Sequence, residues 1–172
     1  MIELVIILLF VIAISFYISK ASSKGFPLDI PNLKGRRVIY CDSGYASIFR
    51  NKKHRIVSKP DFIVVDDKNR KIVVEYKGRK RGIYSSDINQ LKATIVAVRD
   101  KHPGVVTGYV INDSGQYKKV DAYKSTELLV SEMKTQINNV RLIKSGVCIE
   151  YTPVTKKCKG CGFNESCDVA AA

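Results

Sequence analysis

Two short apolar runs, Phe62-Ile-Val-Val65 and Ile72-Val-Val74, flank a polar break, Asp66-Asp-Lys-Asn69. Asp and Asn clusters between β-branched runs reverse a strand, so residues 60–77 predict an antiparallel hairpin. Pro60-Asp61 opens its first arm and Glu75-Tyr76-Lys77 closes its second. After a basic loop, Ser85 or Ser86 is placed to cap a helix reaching about residue 101. Its apolar positions Ile88, Leu91, Ile95 and Val98 recur at helical spacing, and His102 follows as a C-terminal cap residue. Residues 105–111 read as a buried strand, Asn112-Asp-Ser-Gly115 as a turn and 117–123 as the returning strand. Ser125 then caps a second helix through about residue 140, with apolar Leu128, Leu129, Met133 and Ile137. Upstream, Arg37-Val-Ile-Tyr40 is a short strand ending at Cys41, and 45–49 a further short strand before the basic run 50–55. Strands, helix, strands, helix in this order predict an α/β domain: a mixed central sheet flanked by helices.

The N-terminus departs from this pattern. Residues 2–19 are almost wholly apolar, near the lower limit for a membrane-spanning helix. The basic residues follow the apolar run instead of preceding it, as Lys20, Lys24, Lys34, Arg36 and Arg37. That order argues against a cleaved signal peptide, and the positive-inside rule keeps the remainder cytoplasmic. The expected organisation is a transmembrane anchor over 1–19, a linker over 20–36 that holds Pro27 and Pro31, and one domain over 37–172. A single-pass membrane protein with a cytoplasmic domain follows. Across 172 residues the formal net charge is +13, which favours a polyanionic partner, nucleic acid or an anionic membrane surface.

The hairpin carries the chemistry. Side chains two apart on a strand share a face, so Glu75 and Lys77 point together, and Asp61 reaches them from the adjacent arm. Paired carboxylates suit a hard cation such as Mg2+ or Mn2+, and a neighbouring lysine can hold a phosphate or orient a water. Charged strand ends also occur on plain surface hairpins, so spacing alone leaves both readings open. His54, seven residues before Asp61, can serve as a third ligand, or stand as a solvated member of its basic run. The loop Lys77-Gly-Arg-Lys-Arg81 sets positive charge beside the acids, as a nucleic-acid backbone requires.

Five cysteines remain. Cys158, Cys161 and Cys167 lie within ten residues, among glycines, and can hold three corners of a metal centre. Cys148 sits in an apolar run and reads as a buried structural thiol. Cys41, at a strand end, is the expected fourth ligand. Zinc and an iron–sulfur cluster are equally compatible with these donors.

Pro60-Asp61, Glu75-Tyr76-Lys77, Gln90 on the next helix, and a terminal C-x2-C-x5-C with one upstream cysteine together resemble the RecB-like branch of the PD-(D/E)XK nuclease superfamily. Within it the chain is most similar to the CRISPR-associated exonuclease family whose members carry a four-cysteine cluster. The resemblance covers residues 37–167. It implies a restriction-endonuclease-like fold and metal-dependent cleavage of DNA, exonucleolytic on single strands. It implies that Asp61, Glu75 and the carbonyl of Tyr76 hold Mg2+ or Mn2+, that Lys77 positions the attacking water or stabilises developing charge, and that Gln90 orients the lysine or the DNA. Cys41, Cys158, Cys161 and Cys167 would hold a structural iron–sulfur cluster of the 4Fe–4S type, with zinc the alternative. Thr94 stands where the family carries a tyrosine, and Asp87 where it carries a histidine. A non-catalytic nucleic-acid-binding protein that keeps the nuclease fold is the competing expectation, and a zinc-bound membrane adaptor a third.

Overall fold

The computed structural model describes residues 33–44 and 46–147. The expected anchor over 1–19, most of the linker, and Cys148, Cys158, Cys161 and Cys167 lie outside the described residues. Among the described residues no helix is long and apolar enough to cross a membrane.

The chain forms a mixed α/β fold built on a five-stranded sheet. The strands are β1 (Arg37–Cys41), β4 (Phe62–Val65), β5 (Lys71–Lys77), β6 (Val105–Asn112) and β7 (Tyr117–Asp121), in the order β1-β4-β5-β6-β7. All neighbours are antiparallel except β5 and β6, which run parallel from Ile72↔Thr107 to Lys77↔Asn112. A parallel pair needs a crossover, and helix α1 (Ser85–Arg99) supplies it. A separate two-stranded hairpin, β2 (Phe49–Asn51) with β3 (Ile56–Ser58), packs on α1.

The β4–β5 hairpin turns where the polar break predicts. Asp66 Oδ1 accepts the backbone N–H groups of Lys68 and Arg70, at 3.0 and 2.8 Å, and Asn69 adopts a left-handed φ of 56°. Alternation along β5 then sorts its side chains. Ile72 and Val74 join Leu33, Val64, Tyr109 and Ile111 in one apolar layer. Val73, Glu75 and Lys77 take the opposite face, beneath α1. There the helix presents Leu91, Ile95 and Val98, all fully buried. Gly108 on β6 lets the helix approach this closely, because a Cβ there would lie 2.8 Å from Leu91 Cδ1 and 2.9 Å from Ile95 Cδ1. Both partners are enclosed, so Gly108→Val is expected to lower stability by about 1–3 kcal/mol through overpacking. Denaturant unfolding measures it, and an unchanged midpoint would contradict the close approach.

Three expectations change. The segment 45–49 is not a strand throughout: the strand begins at Phe49, and the basic run 50–55 is the tip of the β2–β3 hairpin. Arg55 turns that tip with a φ of 51°, and the Asn51 side chain accepts the His54 N–H at 2.9 Å. The α1 cap is Tyr84, not Ser85 or Ser86, because the Asp87 carboxylate reaches back to the Tyr84 N–H at 2.8 Å. The single helix expected over 125–140 is two, α2 (Thr126–Glu132) and α3 (Lys134–Lys144). Met133, at φ −106° and ψ 8°, breaks the run. Ser125 does cap α2, its hydroxyl accepting the Leu128 N–H at 3.1 Å. The chain divides into two compact units between Glu132 and Met133. The sheet, β2–β3, α1 and α2 belong to the first, and α3 to the second.

Candidate functional site

β4 and β5 pair only as far as Phe62↔Val74. Beyond Val74 the β5 backbone loses its β4 partner, and the Asp61 side chain takes that place: Tyr76 donates its N–H to Asp61 Oδ2 at 2.6 Å. An extended residue projects N–H and C=O from one strand edge, so the Tyr76 carbonyl leaves β5 on the Asp61 side. Asp61 is itself fixed by the chain before it, where Asp42 donates its N–H to the Asp61 carbonyl at 2.9 Å.

Glu75 lies on the face beneath α1 and is 1% exposed. A buried carboxylate must be hydrogen-bonded, and α1 provides for this from one face of one turn. Gln90 Nε2 donates to Glu75 Oε2 at 2.9 Å, and Thr94 Oγ1 donates to Glu75 Oε1 at 2.7 Å. The Thr94 hydroxyl also lies 3.0 Å from the Gln90 carbonyl and 2.7 Å from Ser58 Oγ on β3. Lys77 completes the chain, donating to Gln90 Oε1 at 2.7 Å with its Nζ 3.9 Å from Glu75 Oε2. Gln90 thus takes one partner with each end of its amide, which fixes its orientation.

Burial pushes the Glu75 carboxyl up to about 7. The Thr94 hydroxyl and the Lys77 charge oppose that rise, while the negative charge of Asp61 adds to it. Asp61 and Glu75 are therefore electrostatic neighbours that a cation between them would relieve. Two carboxylates with a carbonyl at the same edge form an all-oxygen donor set, which fits Mg2+ or Mn2+.

Asp61, Glu75, Tyr76, Lys77 and Gln90 fall in one connected group. His54 does not join it. His54 sits at the β2–β3 tip with Nε2 4.0 Å from Glu127 Oε1, while its neighbour Asn51 binds Asp100 beyond the far end of α1. Among the described residues no group of three or more His, Cys, Asp or Glu side chains is placed to hold a metal ion. Cys41 ends β1 opposite Phe62, exposed and without a disulfide. The His102 ring lies tilted against Phe49, centroids 5.7 Å apart, and the His102 backbone N–H donates to the Val98 carbonyl, closing the end of α1.

Ser58 is a neighbour of this group that the sequence pattern did not single out, and Thr94, Asp87 and Arg79, noted there only as departures from the family or as part of a basic loop, take specific partners. Asp87 is buried against the Arg79 guanidinium, which holds its carboxyl below the usual range. The signal for Thr94 was present: four residues after Gln90, it sets a second polar group on the same helix face, between the apolar Leu91 and Ile95.

No family model and no curated protein matches this chain.

Proposed function

We propose that the chain is a membrane-anchored, metal-dependent DNA nuclease, built on a restriction-endonuclease-like core and acting on single strands from an end. The observation that carries this reading is the linked set Asp61–Tyr76, Glu75–Gln90–Lys77, in which two acids and a lysine converge where β4 and β5 part. The parallel β5–β6 pair with its α1 crossover is the sheet pattern such a core needs. The net charge of +13 suits a phosphate backbone. Residues 1–19 would tether the chain to the membrane, with the sheet domain on the cytoplasmic side.

Asp61, Glu75 and the Tyr76 carbonyl would hold Mg2+ or Mn2+, and the bound cation would supply Lewis acidity and a water of lowered pKa. The protein's own groups do the rest. Thr94 and Gln90 keep the Glu75 carboxylate oriented. Gln90 holds the Lys77 ammonium, ready to meet the non-bridging oxygens of a phosphate or to position the attacking water. Cys41, with Cys158, Cys161 and Cys167, would hold a structural iron–sulfur cluster, zinc being the alternative occupant.

The test uses the full chain in detergent with end-labelled single- and double-stranded DNA and Mn2+. Wild type is expected to shorten the single strand. Lys77→Ala and Asp61→Ala are expected to slow cleavage roughly 100- to 1,000-fold, as for loss of a group that stabilises transition-state charge. A wild type that binds DNA without cutting it supports the non-catalytic reading instead. Cleavage by both variants at the wild-type rate overturns the proposal.

A further inference from the structure

The loop between β5 and α1 holds an arrangement that the hydrolytic group does not use. Arg79 is clamped at three points. Its Nε donates to the Gly82 carbonyl at 3.2 Å, its terminal nitrogen binds the Asp87 carboxylate, and its Cζ lies 4.8 Å from the centre of the Tyr84 ring. The same Asp87 oxygen also accepts the Tyr84 N–H at 2.8 Å, closing the loop on itself. Gly82 adopts a φ of +73°, and a Cβ there would come within 2.9 Å of Tyr84 Cζ. Only glycine suits both that backbone and the ring above it. Yet Tyr84 as a residue is 57% exposed. An aromatic ring this firmly seated and this little buried contributes a face to the solvent more than apolar packing to the core.

The loop lies near Lys77, whose charge reaches the Asp87 carboxylate. Asp113 donates its N–H to both the Lys77 and Arg79 carbonyls, at 3.1 and 3.2 Å, tying the loop to the end of β5. Tyr84 also accepts an early N–H of α1, from Ile88, and Gln90 follows six residues later. At the helical rise this places Gln90 about 9 Å along the axis.

We propose that Tyr84, with Arg79 fixed against it, is a stacking shelf for an unpaired base, and that it sets a preference for single strands or frayed ends at the adjacent site. This rests on the nuclease reading above for its role in substrate choice. An aromatic ring flanked by a guanidinium accepts any base by stacking and charge, with no hydrogen-bond readout. A paired base in a duplex already has both faces covered, so only an unpaired one can be received.

The chain contains no tryptophan, so Tyr84→Trp introduces a single indole at the shelf. The full-length variant, in detergent with EDTA to prevent cleavage, is titrated with a short oligodeoxyadenylate and with an abasic strand of equal length. The base-bearing strand is expected to quench the emission and the abasic strand to leave it. Tyr123→Trp serves as control: Tyr123 is 69% exposed and bound to Arg70, at the opposite end of β5. It is expected to show no quenching. Tyr84→Ala is expected to weaken binding of the base-bearing strand about tenfold or more and to leave the abasic strand unchanged. Equal quenching by both strands, equal weakening of both by Tyr84→Ala, or no binding of either overturns the shelf. Because the signal is read without metal or turnover, its loss leaves the nuclease reading standing. Conversely, quenching in a protein that cuts no DNA, or whose Lys77→Ala and Asp61→Ala variants both cut like wild type, retains the shelf and removes the nuclease site assigned above.

Discussion

Glu75→Gln is expected to abolish Mn2+-dependent cleavage while making the metal-free protein more stable at neutral and alkaline pH. The Glu75 carboxyl is raised from 4.5 to about 7 in the folded chain, chiefly by burial. Below pH 4.5 it is protonated in both folded and unfolded chains, and burial of the charge costs nothing. Between pH 4.5 and 7 the unfolded chain releases the proton and the folded chain keeps it, so stability falls as pH rises. Above pH 7 the full penalty applies, on the order of 3 kcal/mol from the size of the shift. Glutamine removes the titration and keeps the bonding. Its amide oxygen can accept from Gln90 and its amide nitrogen can donate to Thr94, whose own hydroxyl then turns to the Gln90 carbonyl 3.0 Å away. Thermal unfolding from pH 4 to pH 9 should therefore show wild type and variant together at the acid end and separating above it. Excess Mn2+ should recover the wild type at pH 8 by mass action and leave the variant unmoved. Parallel curves across the whole range would mean that Glu75 is not held as a buried, metal-seeking carboxylate.

Much of this site was legible because a hairpin encodes itself locally. The apolar runs, the Asp66–Asn69 break and the alternation through Glu75 and Lys77 require no distant partner, so the antiparallel pairing and the shared face follow from neighbouring residues alone. Helix α1 was legible for a similar reason, its apolar positions repeating at one period, whereas the parallel β5–β6 pairing it connects depends on residues distant in sequence. What escaped depends on tertiary partners. β2 and β3 are three residues each, and outward-facing Arg50 and Val57 leave almost no pattern. They form because Phe49, Asn51 and Ile56 bury themselves, an arrangement a window of sequence cannot register. The break at Met133 was hidden because Leu129, Met133 and Ile137 keep helical spacing through it. His54 illustrates the opposite error: proximity in sequence to Asp61 suggested a ligand, and the hairpin tip carries the ring toward Glu127 instead.

Thr94, where the resemblance leads one to expect a tyrosine, is bound to Glu75, and Asp87, where it leads one to expect a histidine, is bound into the adjoining β5–α1 loop. Asp87 holds Arg79 by charge, and Thr94 holds Glu75 by hydrogen bond. The buried acid therefore depends on a single hydroxyl for one oxygen and on Gln90 for the other, with Lys77 supported through the same glutamine.

That dependence gives the second large effect. Thr94→Val conserves shape and removes the hydroxyl that favours the charged form of Glu75. The Glu75 titration should move further up, and the variant should lose about 1.5–3 kcal/mol above pH 7, the worth of a hydrogen bond to a charged group. Below pH 4.5 the carboxyl is neutral and the loss should shrink to about 1 kcal/mol or less. The cation competes with the proton, so apparent Mn2+ affinity at pH 7 should fall about fivefold for the first unit of upward shift, and the pH dependence of cleavage should move alkaline. A double-mutant cycle isolates the cause. In the Glu75→Gln background Thr94→Val should cost the same at every pH, because no charge remains to be supported. If the pH-dependent part of the loss persists there, the hydroxyl acts through packing or through Ser58, 2.7 Å away, and not through the carboxylate.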